Sequence, residues 1–284
     1  MNINIGVSTW LWTSPFNSKT TELFPKIKSF GFDSVEIPVE DPELIDVNKV
    51  RKALEHNQLK PIICAAFGPS RDLTHKDTSV HQHCINYIED CFKISAELGA
   101  KFVAGPMYSA VGKVRLLPPA ERKKEWDLAV ANLKKVCQIA EKYEQQIALE
   151  PLNRFESDLV NTSEDVVRMV GDIQHPSAKI LLDSFHMTLE ELNLKEAIAL
   201  AGDDLIHLQV SENHRGIPGS GQTRWEDIKI GLESINYQGC VSIESFTPEI
   251  KELAGAVCIW RKFAESQDQF AREGFRFLSQ LLGS

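Results

Sequence analysis

Four oxygen-bearing residues recur at the same point of a repeating unit. Glu150, Asp183, Gln209 and Glu244 each close a short apolar run, at intervals of 33, 26 and 35 residues. Runs of this length, several of them β-branched, read as strands buried on both faces. If four successive strands end on these side chains, three carboxylates and one amide converge on a single mouth. Carboxylates brought together repel and are driven to protonate unless a cation compensates them. The constellation therefore argues for a divalent metal. Any one of the acids taken alone reads as well as a helix cap or a solvated side chain; the repetition is what favours a site.

Further polar residues follow these strand ends. Glu156 lies one loop beyond Glu150, His186 three residues past Asp183, and Arg215 six past Gln209. His207, two residues before Gln209 on the same run, would face the same side but about 6–7 Å deeper. That makes it an interior histidine before it is a ligand. Trp10, Trp12 and Phe67 follow the first and third runs, where they suit an apolar wall against a sugar or ordinary rim packing. His81 and His83, two apart at the start of a helical stretch, do not share a face and read as a solvated pair. Ser8 and Ser184 have no neighbouring base in the sequence, so nucleophilic catalysis has little support.

The elements that must position these residues form a regular rhythm. Apolar runs at Ile3–Ser8, Ser34–Ile37, Pro61–Ala66, Lys101–Gly105, Gln146–Glu150, Lys179–Asp183, Leu205–Gln209 and Cys240–Glu244 alternate with amphipathic stretches. Asp127–Tyr143 carries Leu128, Ala131, Leu133, Val136, Ile139 and Ala140 at helical spacing. Asn161-Thr-Ser-Glu164 reads as a helix start, and Arg261–Leu282 as a closing helix. Eight such units at about 35 residues each match a closed (β/α)8 barrel. A doubly wound sheet would advertise a Gly-rich loop after its first strand, and Ser8–Ser14 has none. No linker or low-complexity tract divides residues 1–284, so one α/β barrel domain is expected.

Composition narrows the classes. The chain is 43% hydrophobic and 25% charged, which is ordinary globular usage. Its net charge of −9 disfavours nucleic acid and anionic membranes as partners. The six cysteines show no C-x-x-C spacing and read as small buried hydrophobes in a reducing compartment. No apolar run is long enough to span a membrane, and the first residues lack a signal peptide's basic region, so a cytoplasmic protein is expected.

Several segments carry a family resemblance. Glu150-Pro-Leu-Asn-Arg-Phe-Glu156, Leu181-Leu-Asp-Ser-Phe-His-Met187, Glu212-Asn-His-Arg215, Pro218-Gly-Ser-Gly221 with Trp225, and Ile243-Glu-Ser-Phe246 resemble the ketose 3-epimerases of the xylose isomerase-like TIM barrel superfamily. Gly31-Phe-Asp-Ser-Val-Glu36, Gly68-Pro-Ser70 and Trp260-Arg261 extend the similarity over most of the chain. The resemblance implies that Glu150, Asp183, Gln209 and Glu244 hold the metal and that Glu150 and Glu244 also transfer protons. It implies that Glu156, His186 and Arg215 bind carbons 1 to 3 of a ketose; the expectation of Trp12 and Phe67 as apolar contacts rests instead on their positions after the first and third strands. One position departs: the ketose epimerases carry histidine where this chain has Gln209, and some 3-dehydroshikimate dehydratases of the same superfamily carry glutamine.

The expected reaction inverts carbon 3 of a free ketose through an enediolate, with one carboxylate on each face of the sugar. A ligand set made wholly of oxygen favours Mn²⁺ or Mg²⁺ over tetrahedral zinc, with Co²⁺ or Zn²⁺ able to substitute. The competing readings are a lyase of the same barrel, dehydrating an inosose or 3-dehydroshikimate, and a sugar-binding barrel without catalysis. A homodimer or homotetramer belongs to the same set of expectations.

Overall fold

The computed structural model describes residues 3–283. Eight parallel strands, β1 (Asn4–Ser8), β2 (Ser34–Val39), β3 (Lys60–Ala65), β4 (Phe102–Gly105), β5 (Gln146–Leu149), β6 (Ala178–Asp183), β7 (Leu205–Val210) and β8 (Cys240–Ile243), pair in sequence order. Pairing of Asn4 with Cys240 closes the barrel between β1 and β8. Each strand overlaps its expected apolar run.

The period of two divides the strands' side chains into two cores. Val7, Val35, Ile37, Ile63, Val103, Ile147, Leu149, Ile180, Leu182, Leu208, Val241 and Ile243 join the outer core against the helices. The intervening positions form a small inner core of Ile62, Cys64, Ala104, Ala148, Leu181 and Cys240. Continuing the inner series along the strands leads to Glu150, Asp183, Gln209 and Glu244. The inner face is crowded at its narrow points: a Cβ on Gly6 would come within 3.0 Å of Cys240 Sγ and Ser242 Oγ.

The helices are α1 (Phe24–Ser29), α2 (Val47–Asn57), α3 (Thr78–Leu98), α4 (Pro119–Lys142), α5 (Ser163–Ile173), α6 (Ser184–Glu190), α7 (Leu194–Ala201), α8 (Trp225–Ser234), α9 (Lys251–Ala256) and α10 (Gln267–Leu282). Their starts are chemically marked. Asp46, Asp77, Thr162, Asn193 and Ser266 each accept a hydrogen bond from a first-turn backbone N–H. The start expected at Asn161–Glu164 is thus α5 with Thr162 as its cap.

Some boundaries and environments differ from the sequence reading. α4 starts at Pro119, earlier than expected, because its first turns are exposed and polar and show no apolar period. The closing helix starts only at Gln267; the segment before it turns at Cys258, whose φ is +56°. Cys258 is exposed, whereas the other five cysteines are buried. His81 is not solvated. It is buried on α3, with Nε2 donating to the His75 carbonyl at 2.6 Å and Nδ1 facing the Asn132 amide; His83 is exposed. Among the described residues no helix is long and apolar enough to cross a membrane.

Candidate active site at the barrel mouth

β6 runs directly into α6 without a loop, and that junction begins the site. Asp183 is both the last residue of β6 and the cap of α6, its Oδ1 accepting from Phe185 N at 2.8 Å. His186 therefore falls on the first turn of α6, its Nε2 4.0 Å from Asp183 Oδ2 and 3.6 Å from Glu150 Oε1. Glu150, Asp183 and His186 form a tight buried group.

Register brings in the next strand, since Asp183 pairs with Gln209 across β6 and β7. The Gln209 amide nitrogen donates to Glu244 Oε1 at 3.0 Å and to Glu36 Oε2 at 3.1 Å, and its carbonyl oxygen is buried without a partner. Glu244 lies outside the tight group and reaches Asp183 through Arg215, whose Nη1 donates to Asp183 Oδ2 at 2.5 Å and to Glu244 Oε2 at 3.0 Å.

The loop after β7 delivers Arg215 in an uncommon conformation. Its φ is +62°, in a region that long side chains seldom occupy. Neighbouring groups fix it there: Ser245 Oγ donates to the Arg215 carbonyl at 2.7 Å, and Arg215 N donates to Glu212 O at 2.8 Å. The guanidinium lies over Phe185, 4.0 Å from the ring centroid. Glu212 anchors the rest of the loop, accepting from Gly219 N, Thr223 N and Trp225 Nε1 at 2.7–3.0 Å. Burial alone would raise its pKa, but these donors, led by Trp225, hold the carboxyl below its ordinary value. A Cβ on Gly221 would lie 2.6 Å from Glu212 Oε2, so a side chain there would displace the anchoring carboxylate.

The tautomer of His186 follows from its neighbours. Asn153 N and Nδ2 both approach Nδ1, at 3.0 and 2.9 Å, and Asn153 Nδ2 also donates to Glu156 Oε1 at 2.8 Å. The Nδ1 lone pair is therefore engaged. Burial, with the nearby Arg215 guanidinium, pushes the pKa of His186 down to about 3, so the ring is neutral with its proton on Nε2. His186 offers the cavity a donor, and the 3.3 Å approach of Arg215 Nη2 to that nitrogen is a contact between two donors.

Charge is unbalanced in the site. Burial raises the pKa values of Glu150 and Glu244 well above the ordinary range. Glu244 and Asp183 push Glu150 further up, and Asp183 and Glu36 do the same to Glu244, while Arg215 opposes both. One guanidinium stands against three carboxylates. Glu150, Asp183 and His186 offer ligand atoms close enough together to hold a cation, which would offset this charge, and the Gln209 carbonyl oxygen beside them is buried without a partner.

The cavity above these groups is lined by the polar side chains of Glu150, Glu156, His186, Gln209, Arg215 and Glu244. Trp10, Phe67, Gly105, Phe246, Leu253 and Val257 line it as well and supply apolar surface. Phe67 thus lines the cavity. Trp12 does not: its Nε1 donates to Asp268 Oδ1 at 2.8 Å, with Lys26 over the ring, and Trp10 lines the cavity in its place. One turn of 3-10 helix separates the two tryptophans, and only the tertiary fold selects which one faces inward. His207 is fully buried, its Nε2 2.7 Å from Glu36 Oε1, and does not line the cavity. Sequence reasoning missed Glu36, Glu40, Cys64 and the anchoring Asn153. Glu36 had a signal, an acid at an inward position of an apolar strand.

Comparison with known proteins agrees with this architecture. The xylose isomerase-like TIM barrel family profile matches residues 24–281. A probable ketose 3-epimerase of Synechocystis sp. is 31% identical over 278 residues, covering 98% of this chain and 96% of that protein. D-psicose 3-epimerase of Ruminiclostridium cellulolyticum is 28% identical over 269 residues, 93% and 91% of the two chains. The crystal structure of D-allulose 3-epimerase from Methylomonas sp. in complex with D-allulose superposes with a TM-score of 0.91 at 25% identity, covering 98% of this chain and 97% of that one. The chain belongs to the xylose isomerase-like TIM barrel family, among enzymes of the isomerase class related to the ketose 3-epimerases.

Proposed function

We propose that this chain is a divalent-metal-dependent epimerase that inverts carbon 3 of a free ketose. The observation that carries the reading is a pair of buried carboxylates, Glu150 and Glu244, on strands far apart in sequence but lining one cavity, each with raised proton affinity. Glu150, Asp183, Gln209 and Glu244 would hold the cation. When bound, it would act as a Lewis acid toward negative charge developing on the sugar's carbonyl oxygen.

The chain's own residues carry the rest. One of Glu150 and Glu244 removes the carbon 3 proton, and the other returns a proton from the opposite face. His186, held neutral by burial and with Nδ1 engaged by Asn153, donates its Nε2–H to a sugar oxygen, and Arg215 steadies oxygen carrying partial negative charge. Glu156 accepts from a hydroxyl, while Phe67 and Trp10 cover carbon faces. Among the described residues that line the cavity, Arg215 is the one lysine or arginine, and it is already paired with Asp183 and Glu244. That supports an uncharged sugar over a phosphorylated one. The all-oxygen donor set favours Mn²⁺ or Mg²⁺. The unpaired cysteines suit a cytoplasmic setting.

The test is a panel of the fructose/psicose and tagatose/sorbose pairs in D₂O with Mn²⁺, followed by NMR. Deuterium should appear at carbon 3 of the product. Label at carbon 1 would mean aldose–ketose isomerisation, an enone would mean the lyase, and a metal-loaded protein that exchanges no carbon 3 hydrogen overturns the proposal.

A further inference from the structure

Glu36 is fully buried inside the barrel on β2, does not line the cavity, and takes no part in the chemistry above. A carboxylate at that depth is costly unless donors surround it. Two do: His207 Nε2 at 2.7 Å from Oε1, and the Gln209 amide nitrogen at 3.1 Å from Oε2. The amide nitrogen also faces Glu244 Oε1 at 3.0 Å, and the Gln209 carbonyl oxygen is buried with no partner.

An amide has two ends of nearly equal shape, and its orientation is decided by its neighbours. Here both neighbours are acceptors, so the reversed amide would set oxygen against oxygen twice. Glu244 is itself a proposed ligand and is not a fixed anchor. Glu36 is fixed, because His207 holds its other oxygen from two residues down the same strand as Gln209. A histidine at position 209 would present a ring nitrogen of its own; a glutamine needs something to tell its oxygen from its nitrogen.

We propose that Glu36 is a positioning residue that holds the Gln209 amide nitrogen so that Oε1 is presented to the divalent cation. This rests on the reading of Gln209 as a metal ligand, and Mn²⁺ binding separates the two claims. Mn²⁺ affinity is measured by calorimetry and by the free-ion electron paramagnetic resonance signal, for wild type, E36Q, E36D, Q209A and E36Q/Q209A, with circular dichroism to verify folding. E36Q can pair with either end of the amide, and E36D keeps the charge but withdraws it by one methylene. Each should weaken Mn²⁺ binding by about 10- to 100-fold, the usual cost of losing a group that orients a ligand. The double variant should bind no more weakly than Q209A alone, since Glu36 acts through the residue already removed. If E36Q does not fold, E36D and E36D/Q209A carry the same test. E36D binding within twofold of wild type, or a Glu36 loss that persists in the Q209A background, overturns the positioning role. A folded wild type that binds no Mn²⁺ overturns the metal reading and this inference with it.

Discussion

The two halves of the barrel mouth are built on the same strand geometry but made of different chemistry. Glu150, Asp183, Gln209 and Glu244 lie within one residue of the ends of β5 to β8, all buried and all bearing oxygen. β3 and β4 lead into Ala65, Ala66, Phe67, Gly105 and Pro106, which line the opposite wall with carbon and backbone. Gly105 takes φ of +137°, and a Cβ there would come within 2.8 Å of the Ala65 carbonyl oxygen, so that wall is drawn as close as the backbone allows. The polar half carries the groups able to exchange protons or bind charge, and the apolar half bounds the space beside them. Symmetry of fold thus does not imply symmetry of function: a barrel offers eight equivalent positions, and sequence divides them.

That division is testable from its strongest side first. E150Q and E244Q should each lower kcat by about 10²–10⁴-fold on the ketose that wild type turns over best. Steady-state rates with metal content measured on the same samples check this. A variant that keeps its metal and loses less than tenfold would remove that carboxylate from the proton-transfer pair.

The second prediction sharpens the electrostatic side of the polar half. His186 is neutral in the folded protein with its pKa lowered to about 3, whereas an unfolded histidine titrates near 6.5. Between those values the unfolded chain binds the extra proton, so stability is present above pH 6.5 and is lost as pH falls toward 3. From pH 7 to pH 5 wild type should lose about 2 kcal/mol more than H186Q. Urea unfolding at the two pH values measures the difference. Equal losses would mean that the ring is not held neutral by its surroundings.

The smallest effects belong to the apolar half. F67A should raise KM by roughly tenfold, matching about 1–2 kcal/mol of lost apolar contact, with little change in kcat. W12F, which removes the hydrogen bond to Asp268 and shrinks the ring beneath Lys26, should leave KM within about twofold of wild type. Reversed outcomes in the two variants would reassign the sugar wall from Phe67 to Trp12.

Much of this was legible without coordinates because strands impose a period of two and helices announce their starts. An inward position once found is found again two residues later, which is why Glu150, Asp183, Gln209 and Glu244 could be placed at one mouth from their spacing. Thr162 before Ser163-Glu164-Asp165 is a cap by its own chemistry. The segments resembling ketose 3-epimerases added roles to those positions. These are local properties, and local rules of backbone geometry and hydrogen bonding suffice for them.

What only the tertiary structure decided are the relations between residues that local rules leave independent. Nothing near Trp10 or Trp12 says which indole meets Asp268, more than 250 residues away, and which meets the cavity. Nothing near His186 gives its tautomer, which depends on Asn153 arriving from another strand's loop. The pairing of Glu36 with His207 and Gln209 spans more than 170 residues and exists only because β2 and β7 face each other across a closed barrel. Amide orientation, ring protonation and carboxylate basicity are set by which partners lie within about 3 Å in a medium without water, and closure of the chain brings those partners together.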